Sequence, residues 1–204
     1  LNEPEQINIS ISKPAEGINQ QVYLIHDEQK VPLLTEMLKS ATYNRIIVFA
    51  GRKEKVKELG KVFKKLGLKA AAFHSDLEQK EREAIMLDFK NDKLNVLIGT
   101  DVLSRGIDVT GIDLVINYDA PQDPEDYIHR IGRTARAATT GTAITLVNGK
   151  DKRRLANIEK LIERQIDRMP LPEHLGEAPK DEPAGEKKPY KKKKKFFKKK
   201  PKVV

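Results

Sequence analysis

Apolar residues return along the first 168 positions in two alternating rhythms. Short continuous runs, "RIIVFA" (45–50), "LNVLIGT" (94–100) and "DLVINY" (113–118), have the form of strands covered on both faces. Between them lie longer stretches with apolar residues three or four apart, the spacing of one helical stripe. In "RKEKVKELGKVFKKLG" (52–67) the stripe is Val56, Leu59, Phe63 and Leu66, and it stops at Gly67. Helices are predicted there, over "DEQKVPLLTEMLKS" (27–40) with a cap at Asp27, and over "LEQKEREAIMLDFK" (77–90) and "PEDYIHRI" (124–131). A last helix over 150–166 carries Leu155, Ile158, Ile162 and Ile166 on one face. Strands are predicted over "EQINISI" (5–11), "QQVYLIH" (20–26), "KAAAFH" (69–74) and "GTAITLV" (141–147). Strands spaced by helices imply an α/β fold, a parallel sheet with helices on both faces. Ligands of such folds gather beyond the carboxyl ends of the strands.

Composition narrows the class. The 204 residues are 38% hydrophobic, enough for one good core. There is no cysteine, and His26, His74, His129 and His174 lack ligand spacing, so no metal site is expected. No apolar run approaches the ~20 residues of a membrane span. A soluble, cytoplasmic protein without membrane contact is expected. The net charge of +9 is uneven: residues 169–204 hold twelve lysines, no arginine and five acids, a net +7 that leaves +2 for residues 1–168. The boundary between globular domain and tail is therefore drawn at Arg168. "EKKPYKKKKKFFKKKPK" has no periodic apolar face and is expected to be disordered. Its lysines, interleaved with Tyr190, Phe196 and Phe197, suit nonspecific nucleic-acid binding. A nuclear localisation signal or a solubilising tail would share that composition.

The candidate chemistry lies at strand-to-helix junctions. "DYIHRIGRTARA" (126–137) sets Arg130, Arg133 and Arg136 three residues apart with almost nothing acidic beside them. Arginine forks suit phosphate oxygens, and steps of three keep them on one side, facing a polyanion; a solvated basic helix end is the plainer alternative. After "NVLIG" comes "TDVLSRGID". There Thr100 stands at a strand end, Arg105–Gly106 reads as a turn, and Asp108 is placed to accept from a ribose hydroxyl or to cap a helix. Gly51-Arg52-Lys53 and the "HSD" before Gln79 and Arg82 are two more junctions, where a helix start offers N–H groups to phosphates. No G-x-x-x-x-G-K-[ST] loop is present, and Asp27-Glu28-Gln29-Lys30 is at best a chance echo of an acidic magnesium motif. The chain has arginines suited to a triphosphate and lacks the loop that would cradle one.

"TDVLSRGIDV", "VINYDAP", "YIHRIGRTARA", "IIVFA" and the Gln79/Arg82 pair together resemble the second, C-terminal RecA-like domain of a bacterial DEAD-box RNA helicase over residues 1–168. The likeness implies ATP with Mg2+ as cofactor, the metal being held by an N-terminal RecA-like domain of the same protein. It implies that Arg133 and Arg136 reach the γ-phosphate, with Arg136 as arginine finger, and that Gly106 and Asp108 touch the ribose side. It further implies that Arg52, Ser75, Arg82 and Thr100 hold the RNA phosphate backbone, and that His129 and Arg130 couple the two domains. Two positions depart from the family pattern: Ala135 and Ser75 stand where glycine is usual.

The implied activity is ATP-driven RNA strand separation by a monomer, of which this chain is the C-terminal half and inactive alone. "EPEQINISISKPAEGINQQVYLI" reads as the connection entering from the first domain. A non-catalytic RNA-binding scaffold and a DNA-directed helicase domain are the rival readings; His129, where related helicases usually carry glutamine, speaks against the second.

Overall fold

Four-residue runs with every side chain buried form the middle of the sheet: β2 (Ile46–Phe49), β4 (Val96–Gly99) and β5 (Leu114–Asn117). The computed structural model describes residues 17–40, 43–106, 111–134 and 141–181. Around those strands lie β1 (Ile18–Leu24), β3 (Ala70–Phe73), β6 (Gly141–Val147) and β7 (Asp167–Met169). The order is β3-β4-β2-β5-β6-β1-β7, and every pairing is parallel. The helices are α1 (Asp27–Lys39), α2 (Lys53–Lys65), α3 (Gln79–Lys90), α4 (Asp101–Gly106), α5 (Pro124–Ile131) and α6 (Lys152–Leu161).

Successive strand residues point to opposite faces, so continuous apolar runs feed two cores. On one face Ile46 and Val48 meet Leu33 and Leu34 of α1 and Val56, Leu59 and Phe63 of α2. On the other, Ile47 and Phe49 meet Phe89 of α3 and Leu103 of α4. Farther along the sheet, Val22 and Ala143 pack with Tyr127 and Ile131 of α5 and with Leu155 and Ile158 of α6. The expected parallel sheet with helices on both faces is present. Among the described residues no helix is long and apolar enough to cross a membrane.

Four expectations need correction. Arg105–Gly106 is not a turn: the chain enters α4 directly after β4, with the Leu103 N–H donating to the Thr100 carbonyl at 2.8 Å. Gly99 permits this, because a Cβ there would lie 2.9 Å from the Leu103 side chain. Asp27 is not the cap of α1. The cap is His26, whose backbone N–H donates to Gln29 Oε1 at 2.9 Å, while the Asp27 carboxylate accepts from Asn148 at 2.7 Å. The last helix is shorter than its apolar stripe: α6 ends at Leu161 and Glu163 adopts φ +55°, yet Ile162 and Ile166 remain in the core.

The fourth concerns the domain boundary. Ordered contacts run past Arg168, because Val22 and Tyr23 of β1 pair with Arg168 and Met169, and Leu171 and Leu175 pack on the core. Gln29 Nε2 donates to the carbonyls of Leu175 and Glu177 at 2.7 and 3.1 Å, and Arg168 is 3.5 Å from Asp181. The segment through Asp181 is thus part of the domain. The strand expected over 5–11 and the lysine-rich run lie outside the described residues. A chain ending at Arg168 is expected to be less stable than one ending at Asp181 by about 2 kcal/mol, from the apolar surface uncovered on α1. Urea unfolding of the two chains measures this, and equal midpoints would return the boundary to Arg168.

Candidate nucleotide and nucleic-acid interface

One row of residues crosses the sheet just before the candidate site. Phe73, Gly99, Phe49, Asn117 and Thr145 are successive register partners. Parallel pairing puts whatever follows them at one edge. Ser75 follows β3, Thr100 follows β4, Arg52 follows β2 as the N-cap of α2, and Asp119 follows β5. Junctions separated by dozens of residues thereby become neighbours.

Arg130 answers the arginine triplet in an unexpected way. It does not face outward with its neighbours, since it is 1% exposed. Its guanidinium donates from Nε and Nη2 to the two oxygens of Asp101 at 2.6 and 3.0 Å. From Nη1 it donates to Asn117 Oδ1 at 3.1 Å and to the Asp119 carbonyl at 3.0 Å. The same group lies 5.2 Å from the Phe49 ring centroid. Asn117 is fixed in turn by donating to Thr145 Oγ1 at 3.1 Å. The α5 helix turns inward on Tyr127, Arg130 and Ile131, spaced three to four apart, which carries Arg130 into the core with them. Bidentate pairing and stacking are the contacts for which arginine is suited and lysine is not.

Beyond this anchor, Gly132 closes α5 and Arg133 stands half-buried, its Nε donating to the His129 carbonyl at 3.3 Å. The His129 imidazole is exposed, 4.0 Å from Asp126. Thr134 returns to the core, its hydroxyl donating to the Ile112 carbonyl at 2.6 Å. Gly106 is the final residue of α4. Asp108, Arg136 and Ala135 lie outside the described residues.

The loops after β2 and β3 are tied together by charge. Asp76 accepts from Lys53 at 2.8 Å and from Lys57 at 2.5 Å, which lowers its carboxyl from 3.8 to about 2. Arg82 on α3 donates to the Ser75 carbonyl at 3.0 Å. Arg52, Ser75 and Arg82 thus belong to one braced corner. His74 beside them is held below its ordinary value by burial and then by Lys57.

A second buried cation supports the same edge and was read from the sequence only as an echo of a magnesium motif. Lys30 is 0% exposed. Its ammonium donates to the Tyr118 carbonyl at 2.9 Å and lies 3.4 Å from both Asp27 and Asp119 and 4.0 Å from Asp151. Asp119 also accepts from the Gly51 N–H at 2.9 Å, holding the residue before Arg52. Burial raises the Asp151 carboxyl above its ordinary value, against the pull of Lys30 and Arg154. Asp101, Asn117, Asp119 and Lys30 were all missed as supports. One signal was legible: Lys30 stands three and four residues before Leu33 and Leu34, on the buried stripe of α1.

The model of the helicase conserved C-terminal domain matches residues 29–138, more than half of the chain. The chain belongs to that family, and it is the C-terminal RecA-like domain of the DEAD-box type. It is 38% identical over 173 residues to the DEAD-box ATP-dependent RNA helicase CshA of Geobacillus kaustophilus, a match covering 84% of this chain and 37% of the relative. The chain therefore spans little more than a third of that relative's length. Among solved structures it resembles the E. coli DEAD-box protein SrmB bound to regulator of ribonuclease activity A, with TM-score 0.75 and 32% identity over 84% of this chain and 99% of the other. S. cerevisiae Dbp5 bound to RNA and ADP BeF3 matches with TM-score 0.73 and 34% identity, over 77% of this chain and 42% of the other.

Two measurements test the edge. Arg130→Met is expected to cost about 3 kcal/mol of stability, because it removes five hydrogen-bonding and stacking contacts from a buried site. Arg130→Lys should recover only part of this; full recovery in denaturant unfolding would mean that charge alone matters. The lowered Asp76 carboxyl makes its two lysine contacts complete above the ordinary carboxylate range and lost as pH falls through about 2. An NMR titration should show that midpoint and its return toward 3.8 in the Lys53→Met, Lys57→Met double variant.

Proposed function

We propose that this chain is the second RecA-like domain of a cytoplasmic, monomeric ATP-dependent RNA helicase, working with a first such domain that holds most of the ATP and its Mg2+. The observation that carries the reading is the Arg130 anchor, which fixes α5 to the ends of β4 and β5 just ahead of Arg133. An arginine that acts on a transferring phosphoryl group must be held in place beforehand, because its gain comes from charge already oriented when negative charge develops. A helix end locked by four hydrogen bonds suits that requirement at Arg133, which follows it.

Arg133 and Arg136 are assigned to the γ-phosphate, Arg136 as the finger, and Gly106 and Asp108 to the ribose side. Arg133 fits an anionic partner: its Nε donates to the His129 carbonyl, which orients the planar fork. His129, exposed beside it, is assigned to the face toward the first domain. Bound ATP supplies the cleavable phosphoanhydride; the chain's own part is to position cationic donors and to exclude water as the domains close.

Arg52, Ser75, Arg82 and Thr100 are assigned to the RNA phosphate backbone. The support is their common edge at the ends of three adjacent strands, where Arg52 and Ser75 are exposed and Arg82 and Thr100 half-buried, with Asp119 and Asp76 bracing the loops. Such contacts read phosphate rather than base and grip a strand of any sequence. RNA and ATP each favour the closed pair of domains, so their affinities are coupled. Closure around one bent strand then opens a short duplex.

The test joins this chain to a first RecA-like domain and measures RNA-stimulated ATP hydrolysis. Arg136→Ala is expected to lower turnover by about a thousandfold with RNA binding kept, the range for such arginines, and the isolated chain should hydrolyse nothing. An unchanged rate would reassign the chain to the non-catalytic RNA-binding reading.

A further inference from the structure

The sheet ends at β3, and its outer side differs from the rest of the surface. Among the described residues β3 pairs only with β4, so one row of its backbone groups has no strand partner. Three consecutive alanines, Ala70, Ala71 and Ala72, leave this edge low, and α2 lies close beside it. The approach is tight at Gly60, where a Cβ would come within 2.8 Å of the Ala72 Cβ. Between helix and strand runs an open groove of about 530 Å³ with a mainly apolar lining. Its rim is cationic: Lys57, Lys61 and Lys64 line it from α2, and no acidic residue does. Lys57 is engaged by Asp76 at the end near His74, whereas Lys61 and Lys64 stand exposed farther along.

We propose that this groove is a docking site for an acidic segment of a partner protein, added in extended form to the outer edge of β3. The backbone row supplies strand-type hydrogen bonds, the alanine and glycine floor takes every second side chain, and the lysine rim takes the acidic ones between. Charge complementarity selects the occupant, because the exposed Lys61 and Lys64, with no acid in the lining, repel basic segments and draw acidic ones. A peptide fits better than a nucleic acid, since the groove is floored by alanine and glycine, carries one ring, His74, at its end, and has a backbone edge that matches another strand. The groove runs along the side of the sheet and meets the RNA edge assigned above at one end, where Lys57 pairs with Asp76 and His74 precedes Ser75.

The test uses the full chain and a displayed library of random peptides about ten residues long, enough to cover a strand. Panning against the native chain should enrich sequences that alternate acidic with small or apolar residues. Panning against the Lys61→Glu, Lys64→Glu variant, whose changes are both at exposed positions, should not. The best peptide should shift the amide NMR signals of Ala70–Phe73 and bind the variant at least about tenfold more weakly, as expected for two reversed rim charges. Absence of acidic enrichment overturns the proposal, as does a peptide that shifts other amides or binds the variant equally well. A ten-uridine RNA that shifts the Ala70–Phe73 amides while no peptide does would assign the groove to nucleic acid instead. None of these readouts depends on ATP hydrolysis, so failure here leaves the helicase reading untouched.

Discussion

A single guanidinium, buried where β4, β5 and α5 converge, holds the functional edge of this domain in one arrangement. Arg130 joins the first residue of α4, the last residue of β5 and the backbone just beyond it, and it does so from the helix that carries His129 and leads into Arg133. Burying an arginine is costly unless its donors are answered. Here they are answered by a carboxylate, an amide and a carbonyl, with an aromatic ring beneath. The network has few alternatives of similar energy, since moving any one element strands a buried charge. Rigidity at this point is what permits precision in the residues around it.

Lys30 repeats the device from the other face of the sheet. Its ammonium is enclosed by three carboxylates and a carbonyl and lies 4.9 Å from the Tyr118 ring centroid. The two cations meet at one residue. Asp119 gives its carbonyl to Arg130 and its carboxylate to Lys30 and to the Gly51 N–H. The loop carrying Arg52 and the helix that leads into Arg133 are therefore braced against a common point, a geometry in which a strain on one is felt by the other. Arg52 stands exposed at the end of β2, while the electrostatic work of holding this edge is done by the buried Arg130 and Lys30.

Much of the architecture was legible beforehand. The buried strands announced themselves as unbroken apolar runs, and α2 by its stripe, because burial on two faces or one leaves different periods in a chain. What failed to show was local. Arg105–Gly106 has turn composition, yet α4 forms because Leu103 can fold back over Gly99 into a core built by strands far away in sequence. The extension past Arg168 has no periodic pattern, and only its pairing with β1 and its packing on α1 make it part of the domain. The motif-bearing junctions were found in the chain, but their supports were not. An asparagine ending an apolar run and a lysine beside two leucines look unremarkable until their partners are known.

Residue order alone thus determined the alternation of strands and helices, the charge carried by the junctions and the crowding of lysines toward the C-terminal end. Those are properties of neighbours along a chain, governed by periodicity and composition. The direction in which each charged group points is not such a property. Arg130 and Arg133 are the same residue type three positions apart, and one is sealed in the core while the other stands at the edge. That division rests on Asp101, Asn117 and Asp119, which reach Arg130 only because parallel strands in register bring their carboxyl ends together. Whether a cation anchors a fold or meets a ligand depends on which acceptors surround it in space, and folding alone brings those acceptors within reach.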